Sequence, residues 1–266
     1  MSSYPSDHSN RREFLTGGAL RKQIERAGGE IADALIEGAA KAAPEAGDTV
    51  RLTARAMACD WGIVFNPGPA QQIMAASDAF DVVHALEDQM SVYRDQSELS
   101  RLNRTAATEA VKVERKLFEL LLLARDISRE TGRAFDPTTG PLISLWRNCR
   151  AEGRIPTDEE IAAQLEITGI DQVSFDDAES TVGFAREGVE LNLGAIGKGY
   201  AVDRAGEFLE KYELNDWLIH GGRSSILARG DHIGLGGWPV GLRNPLLPHE
   251  RFATAILKNS AMATSG

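Results

Sequence analysis

Apolar residues recur at helical spacing through the first half of the chain. Two such patterns predict long helices, one over residues 73–90 and one over residues 117–127. Ser97 is placed to cap a short helix, and Pro141 suits the first position of another. A capping box over residues 157–160 predicts a further short helix.

Most predicted strands lie in the second half. Residues 49–56 and 61–65 form a predicted hairpin across 57–60, and residues 173–175 and 181–184 form a second one. Four more strands are predicted at residues 217–220, 224–227, 240–242 and 253–257. Because helices come first and strands come later, the order favours the α+β class over an alternating α/β sheet.

A glycine-rich junction is the most informative stretch. Residues 189–193 alternate apolar and polar and predict a strand, and a helix is predicted from Tyr200 onward. Between them, glycines at 194, 197 and 199 are expected to let the backbone turn sharply and come close to a ligand. Lys198 lies at the predicted helix start, where the dipole disfavours a cation. This position suggests a bound anion, most simply a phosphate. Taken alone, the motif is equally typical of a plain glycine-rich connection with an exposed lysine.

Composition and other motifs exclude several function classes. The 266 residues have a net charge of −10 and no long Lys/Arg run, which argues against nucleic acid and anionic membranes as partners. Cys59 and Cys149 are isolated, and the five histidines form no H-E-x-x-H pair. The glycine-rich junction is not a P-loop, since Asn192 stands at the first Gly position and Gly199 replaces the Ser/Thr.

The amino terminus has a degenerate export motif. Arg11 and Arg12 lie in a segment similar to the twin-arginine signature, but Arg21 and Lys22 interrupt the apolar core that should follow. We therefore predict a cytoplasmic protein, with periplasmic location through twin-arginine export as the alternative. Residues 1–47 are predicted to be a helical extension, and residues 48–266 the main domain.

Four segments in order carry a family resemblance: M-S-V-Y-R-D-Q-S-E-L-S-R-L-N, A-F-D-P-T-T-G-P-L, L-N-L-G-A-I-G-K-G-Y-A-V-D-R-A and A-M-A-T-S-G. Together they resemble the ApbE family, the FAD:protein FMN transferases, over about residues 52–266. The resemblance implies a T-fold-like α+β domain with a mixed or antiparallel sheet. It also implies FAD binding, Mg²⁺-dependent cleavage of its pyrophosphate, and attachment of FMN to a Thr or Ser of an acceptor protein.

The same resemblance suggests the site residues, although it assigns no catalytic residue here. FAD contacts are expected from Met57, Tyr93, Ala134, Phe135, Asp136, Asn192 and Lys198. The backbone carbonyl of Ala195 is expected to bind the metal. Without the resemblance, Met57 is more typical of a core methionine, and Asp136 of a simple turn.

Three departures from the family pattern leave alternatives open. Asn192 stands where the family commonly has Asp, and Arg223 follows the Gly-Gly pair where Asp or Asn is common. The family also continues after A-T-S-G into an H-x-x-D-P-x-T-G segment with further metal ligands and a candidate general base. A fragment or a natural truncation would explain its absence. The alternatives are therefore a non-catalytic FAD-binding module and an FAD pyrophosphatase.

Overall fold

The computed structural model describes residues 48–244, 247 and 251–265. The predicted helical extension and the twin-arginine-like motif lie outside these residues. The described residues belong to one compact unit, and the predicted boundary at residue 47 stays a prediction. No helix of the described part is long and apolar enough to cross a bilayer.

Helices and strands follow the predicted order. The helices are α1 (Gln71–Met90), α2 (Glu98–Thr105), α3 (Arg115–Glu130), α4 (Gly140–Ala151), α5 (Asp158–Glu166) and α6 (Gly197–Lys211). The strands are β1 (Val50–Ala56), β2 (Cys59–Phe65), β3 (Val111–Lys112), β4 (Val173–Asp176), β5 (Thr181–Phe184), β6 (Trp217–Gly221), β7 (Ser225–Arg229), β8 (Trp238–Arg243), β9 (Arg251–Leu257) and β10 (Ser260–Ala263). A 3₁₀ turn over Ile170–Gln172 precedes β4.

The strands form antiparallel sheets, which confirms the α+β class. Five strands lie in the order β1-β2-β6-β7-β10, three in the order β3-β5-β4, and β8 pairs with β9. Each pairing in the described part of the chain is antiparallel. Two strands were missed, namely β3 and β10. Both are short, and β10 is built largely from alanine, so neither has the alternating apolar pattern that marks a strand.

One face of the five-stranded sheet is covered by α1 and α6. Trp61, Ile63 and Phe65 alternate along β2 and are fully buried beneath these helices. Gly206 lets α6 come close to the sheet, because a Cβ atom there would lie 2.8 Å from the ring of Trp217. Each large buried side chain contributes roughly 1.5–3 kcal/mol, so this face holds one of the main cores.

The predicted start signals of α2 and α5 are confirmed, whereas α4 begins one residue and α6 three residues before the predicted position. The Ser97 side chain accepts a hydrogen bond from the Ser100 N–H at 2.9 Å and caps α2. Pro141 lies in the first turn of α4. Thr157 and Glu160 form the reciprocal capping box of α5. These signals lie within a few residues of the helix that they start, which explains why the sequence alone revealed them.

The prediction of a strand over residues 189–193 is wrong. The segment is extended and alternately buried, but it joins no sheet. The Asn103 side chain instead donates to the Leu191 carbonyl and accepts from the Leu191 N–H, both at 2.9 Å. The Asn192 N–H donates to the Pro137 carbonyl at 2.7 Å. A side chain and a loop carbonyl replace a neighbouring strand, so the backbone is satisfied without a ladder.

Candidate functional site

A cleft of about 440 Å³ lies at the amino-terminal end of α6, and we call it the Lys198 cleft. Four stretches form it: the β1–β2 turn, the end of α1, the loop that follows α1, and the turn before α6. Its lining residues are Met57, Ala58, Glu87, Met90, Ser91, Val92, Tyr93, Arg94, Asn192, Leu193, Gly194, Gly197 and Lys198. The structure thus brings together four of the predicted site residues: Met57, Tyr93, Asn192 and Lys198.

Lys198 lies half-buried in the first turn of α6. The residue before this helix, Ile196, provides no side-chain cap. Within the described residues, the N–H groups of Lys198 and Gly199 donate to no acceptor, and Lys198 forms no ion pair. An unpaired cation, free N–H groups and the positive end of a helix dipole therefore meet at one place, which is the arrangement of an anion site.

The glycines of this turn do not act as predicted in every respect. Gly194, Gly197 and Gly199 all lie outside the left-handed φ region, so none of them is required by its φ angle. At Gly194, a Cβ atom would lie 2.9 Å from the Asn192 side-chain oxygen, so the close approach there does depend on the missing side chain. At Gly199, however, a Cβ atom would find no neighbour within 4 Å. The missing side chain leaves open space beside the free N–H groups, and a ligand can approach the backbone closely.

Asn192 and Ala195 flank this turn. The Asn192 side-chain oxygen accepts a hydrogen bond from the Gly194 N–H at 2.8 Å, which holds the turn in shape. Ala195 is exposed, and its carbonyl accepts no hydrogen bond from any described residue. The carbonyl is thus available to a ligand, although its metal-binding role stays a prediction.

Met57 and Ala58 form the two-residue turn between β1 and β2. Both have a positive φ, 50° and 58°, which non-glycine residues rarely adopt. The Met57 side chain is partly buried and packs against both main cores. Strained residues of this kind are concentrated at functional sites, and this one lines the cleft.

Tyr93 is placed at the cleft with its ring largely in solvent. Its exposed fraction is 71%, and the Arg147 guanidinium lies 5.5 Å from the ring centroid. The Tyr93 N–H donates to the Ser91 hydroxyl at 3.2 Å. The Ser91 carbonyl in turn accepts from the Ser97 hydroxyl at 2.6 Å, so the loop that holds Tyr93 is braced by hydrogen bonds.

The predicted contact residues Ala134, Phe135 and Asp136 do not line the cleft. They lie in the turn before α4, which is joined to the cleft wall through the Pro137 carbonyl. The Asp136 carboxylate accepts from the Thr138 N–H and hydroxyl at 2.9 and 2.5 Å, and from the Ile170 N–H at 3.3 Å. Its oxygens therefore hold neighbouring backbone, and the role of this turn in FAD binding stays a prediction.

The charges around the cleft leave Lys198 as the cation that can act on a ligand. Glu87 also lines the cleft, but it forms an ion pair with Arg94 at 3.0 Å. Burial raises the pKa of the Cys59 thiol, and the positive charge of Lys198 opposes this shift. The electrostatic influence of Lys198 thus reaches beyond its own helix turn.

The described residues do not by themselves fit a magnesium site. No group of three or more His, Cys, Asp or Glu side chains among them is placed to hold a metal ion. The free Ala195 carbonyl is one hard oxygen donor, whereas Mg²⁺ in nucleotide sites usually has one or two carboxylates as well.

Asn103 is an important residue that the sequence analysis did not single out. Its side chain holds Leu191, which precedes the cleft residues Asn192 and Leu193. Asn103 is the last residue of M-S-V-Y-R-D-Q-S-E-L-S-R-L-N, the first of the four segments that resemble the ApbE family. Its place in that segment is the sequence feature that points to it. An asparagine near a helix end is usually taken for a surface residue, and this explains the omission.

The comparisons with known proteins agree with this geometry. A model of the ApbE family matches residues 49–266. The FAD:protein FMN transferase of Klebsiella pneumoniae is 31% identical over 192 residues, which is 72% of this chain and 58% of that protein. The Haemophilus influenzae protein of the same name is 31% identical over 185 residues, or 66% and 53%. The chain thus spans just over half the length of these curated relatives.

Solved structures show the same likeness. The crystal structure of the ApbE protein from Thermotoga maritima has a TM-score of 0.75 at 28% identity, covering 82% of this chain and 71% of that one. The flavin transferase ApbE from Vibrio cholerae has a TM-score of 0.71 at 26% identity, covering 82% and 72%. With the family model matching most of its length, the chain belongs to the ApbE family.

Proposed function

We propose that this protein is a flavin transferase that cleaves FAD and attaches FMN to an acceptor protein. The acceptor's Thr or Ser hydroxyl oxygen forms a bond to the phosphorus of the FMN half, and the bond from that phosphorus to the AMP oxygen breaks. AMP leaves, and the hydroxyl proton is released. The observation that supports the proposal most directly is the Lys198 cleft, together with the activity named for the relatives.

The cleft residues suit the two parts of an FAD molecule. The apolar walls from Met57, Met90 and Leu193 can hold a flat ring system. Lys198 and the free N–H groups of the first turn of α6 can bind the pyrophosphate oxygens. Phosphoryl transfer depends chiefly on such positioning and on stabilising the phosphate charge, so these groups would serve both binding and catalysis.

The proposal includes magnesium dependence. It follows from the family resemblance, whereas the described residues contribute only the Ala195 carbonyl. The test is to measure FAD turnover with magnesium chloride and with EDTA. Loss of turnover in EDTA and its recovery on adding magnesium would support the dependence. Equal turnover in both would contradict it.

The decisive experiment is incubation of the protein with FAD, magnesium chloride and a Thr-containing acceptor peptide, followed by mass spectrometry. We expect the peptide to gain the mass of an FMN phosphoester and AMP to appear in equal amount. A peptide with Val in place of Thr is the matched control. Release of FMN and AMP without a peptide adduct would instead favour an FAD pyrophosphatase. FAD binding without any cleavage would favour a non-catalytic binding module.

A further inference from the structure

A second and larger cavity lies on the opposite face of the five-stranded sheet. Its volume is about 790 Å³, and we call it the sheet-face cavity. The buried side chains of Val64, Leu218 and Ile226 form its floor, and the β8–β9 hairpin forms one side. No described residue lines both this cavity and the Lys198 cleft.

The charge of this cavity is opposite to that of the protein. The chain has a net charge of −10, yet the cavity is lined by Arg51, Arg223 and Arg243 and by no described Asp or Glu. In the part of the chain that the structure describes, none of these three arginines forms an ion pair. Their exposed guanidinium groups, which donate but never accept hydrogen bonds, surround an apolar floor.

His232 lies in the wall of the cavity with one unused ring nitrogen. Its ring stacks on Trp238 at 4.9 Å and is only 1% exposed. The Asn66 amide nitrogen donates to the Asp231 carbonyl at 2.9 Å, so its oxygen is the atom that faces His232 Nδ1 at 2.7 Å. Nδ1 must therefore be the protonated nitrogen. The neutral ring then has a lone pair on Nε2, and that buried atom has no partner in the described structure.

His220 is the second histidine that lines the cavity. The histidine lies opposite Gly62 in the β2–β6 pairing, and a Cβ atom at Gly62 would lie 2.4 Å from its Nε2. Only glycine leaves room for the imidazole there. Burial lowers the pKa of His220, and the charges of Arg51 and Arg223 lower it further, while Asp60 opposes the shift. The charges of Arg51 and Arg223 thus act on His220.

We propose that the sheet-face cavity binds a small organic anion whose apolar body carries a hydrogen-bond donor. The anionic group pairs with Arg51 and Arg223 at the rim, the apolar body lies on the sheet, and the donor satisfies His232 Nε2. A volume of about 790 Å³ is within the range of small-molecule sites, roughly 300–1,000 Å³. This inference is independent of the proposed transferase activity, because the two cavities share no residue.

Anilinonaphthalene sulfonate is a suitable probe because it combines a sulfonate, an N–H donor and an apolar ring system. Phenylnaphthylamine is the matched neutral probe, since it lacks only the sulfonate. Both are titrated into the full chain and followed by fluorescence. In the double variant Arg51→Gln/Arg223→Gln, we expect sulfonate binding to weaken roughly tenfold, with binding of the neutral probe unchanged.

Two controls locate the effect. The variant Arg129→Gln/Arg186→Gln removes the same charge from exposed positions outside both cavities, and Lys198→Gln removes the cation of the Lys198 cleft. Neither should change sulfonate binding. A loss with either control as large as in the Arg51→Gln/Arg223→Gln variant would overturn the proposal. Equal weakening of both probes in that variant, or no weakening, would overturn it as well.

The donor and the head group are tested separately. His232→Phe keeps a ring against Trp238 but removes Nε2, so both probes should bind several-fold more weakly; unchanged binding would refute the role of His232. Circular dichroism verifies that this buried variant folds. Naphthyl phosphate and naphthoate then compete with the sulfonate probe. Displacement identifies a phosphate or a carboxylate as the preferred head group, and failure of both would contradict an anion site.

Discussion

The two faces of the five-stranded sheet differ in what covers them. On one face, α1 and α6 pack directly on Trp61, Ile63 and Phe65 and exclude water. On the other face, Trp238 of the β8–β9 hairpin packs with Val64 and Leu218, and the sheet-face cavity stays open beside it. Helices can pack closely along the whole sheet, whereas a hairpin attached at one side leaves a gap. The same strands thus support a packed core on one side and a binding surface on the other.

The largest expected effect is a difference in the stability lost when two neighbouring residues of β2 are each replaced by alanine. Ile63 is fully buried under the helices, and Val64, at 6% exposure, faces the cavity. We expect Ile63→Ala to lower the free energy of unfolding by about 3 kcal/mol and Val64→Ala by about 1 kcal/mol, because only the first leaves a closed void. Urea denaturation measures both. Similar losses would mean that the two faces are equally well packed.

The next largest effect is expected in FAD affinity, which should depend on Lys198 but not on the arginines of the sheet-face cavity. Lys198→Ala is expected to weaken FAD binding by about 1.5–3 kcal/mol, or roughly one to two decades in Kd, since it removes a charge-assisted phosphate contact. Arg51→Gln/Arg223→Gln should leave that Kd unchanged. Isothermal titration with FAD measures both variants. If the wild-type and Lys198→Ala proteins bind FAD equally well, Lys198 does not contact the phosphates.

The turn at the edge of the helix-covered face offers a smaller test. Ala58 has a left-handed backbone that glycine adopts without strain, so Ala58→Gly should stabilise the protein by about 0.5–1 kcal/mol. The matched control is Ala54→Gly in the extended β1, which should destabilise it by about as much. Thermal unfolding followed by circular dichroism compares the two. A loss of stability with Ala58→Gly would show that the turn is not strained.

The smallest effect concerns pH on the open face. The pKa of folded His220 is lowered by burial and by Arg51 and Arg223, so the unfolded chain binds the proton more readily. Its contribution to stability is therefore complete above about pH 6.5 and decreases as the pH falls toward the folded pKa. His220→Gln should flatten the decline in stability between about pH 7 and pH 5. An unchanged slope would assign that decline to other groups.

The sequence revealed the helix-covered face better than the open face for a physical reason. Helix faces and caps are encoded within a few residues, as in the Ser97 cap of α2. The three arginines of the sheet-face cavity are far apart in the chain and meet only after the sheet forms. The segment at 189–193 was mistaken for a strand because its pattern shows burial but not which group satisfies its backbone.

Asn103 has a consequence for how the protein folds. Its side chain forms two hydrogen bonds to Leu191, which lies 88 residues later in the chain. One side chain therefore closes the long loop that ends at the wall of the Lys198 cleft. Closing a loop of this length has an entropic cost. Contacts between residues this far apart in the chain therefore form after local structure is in place. We therefore expect the cleft to mature in the last steps of folding. In native-state hydrogen exchange, the Leu191 amide should open more easily than the amides of β2.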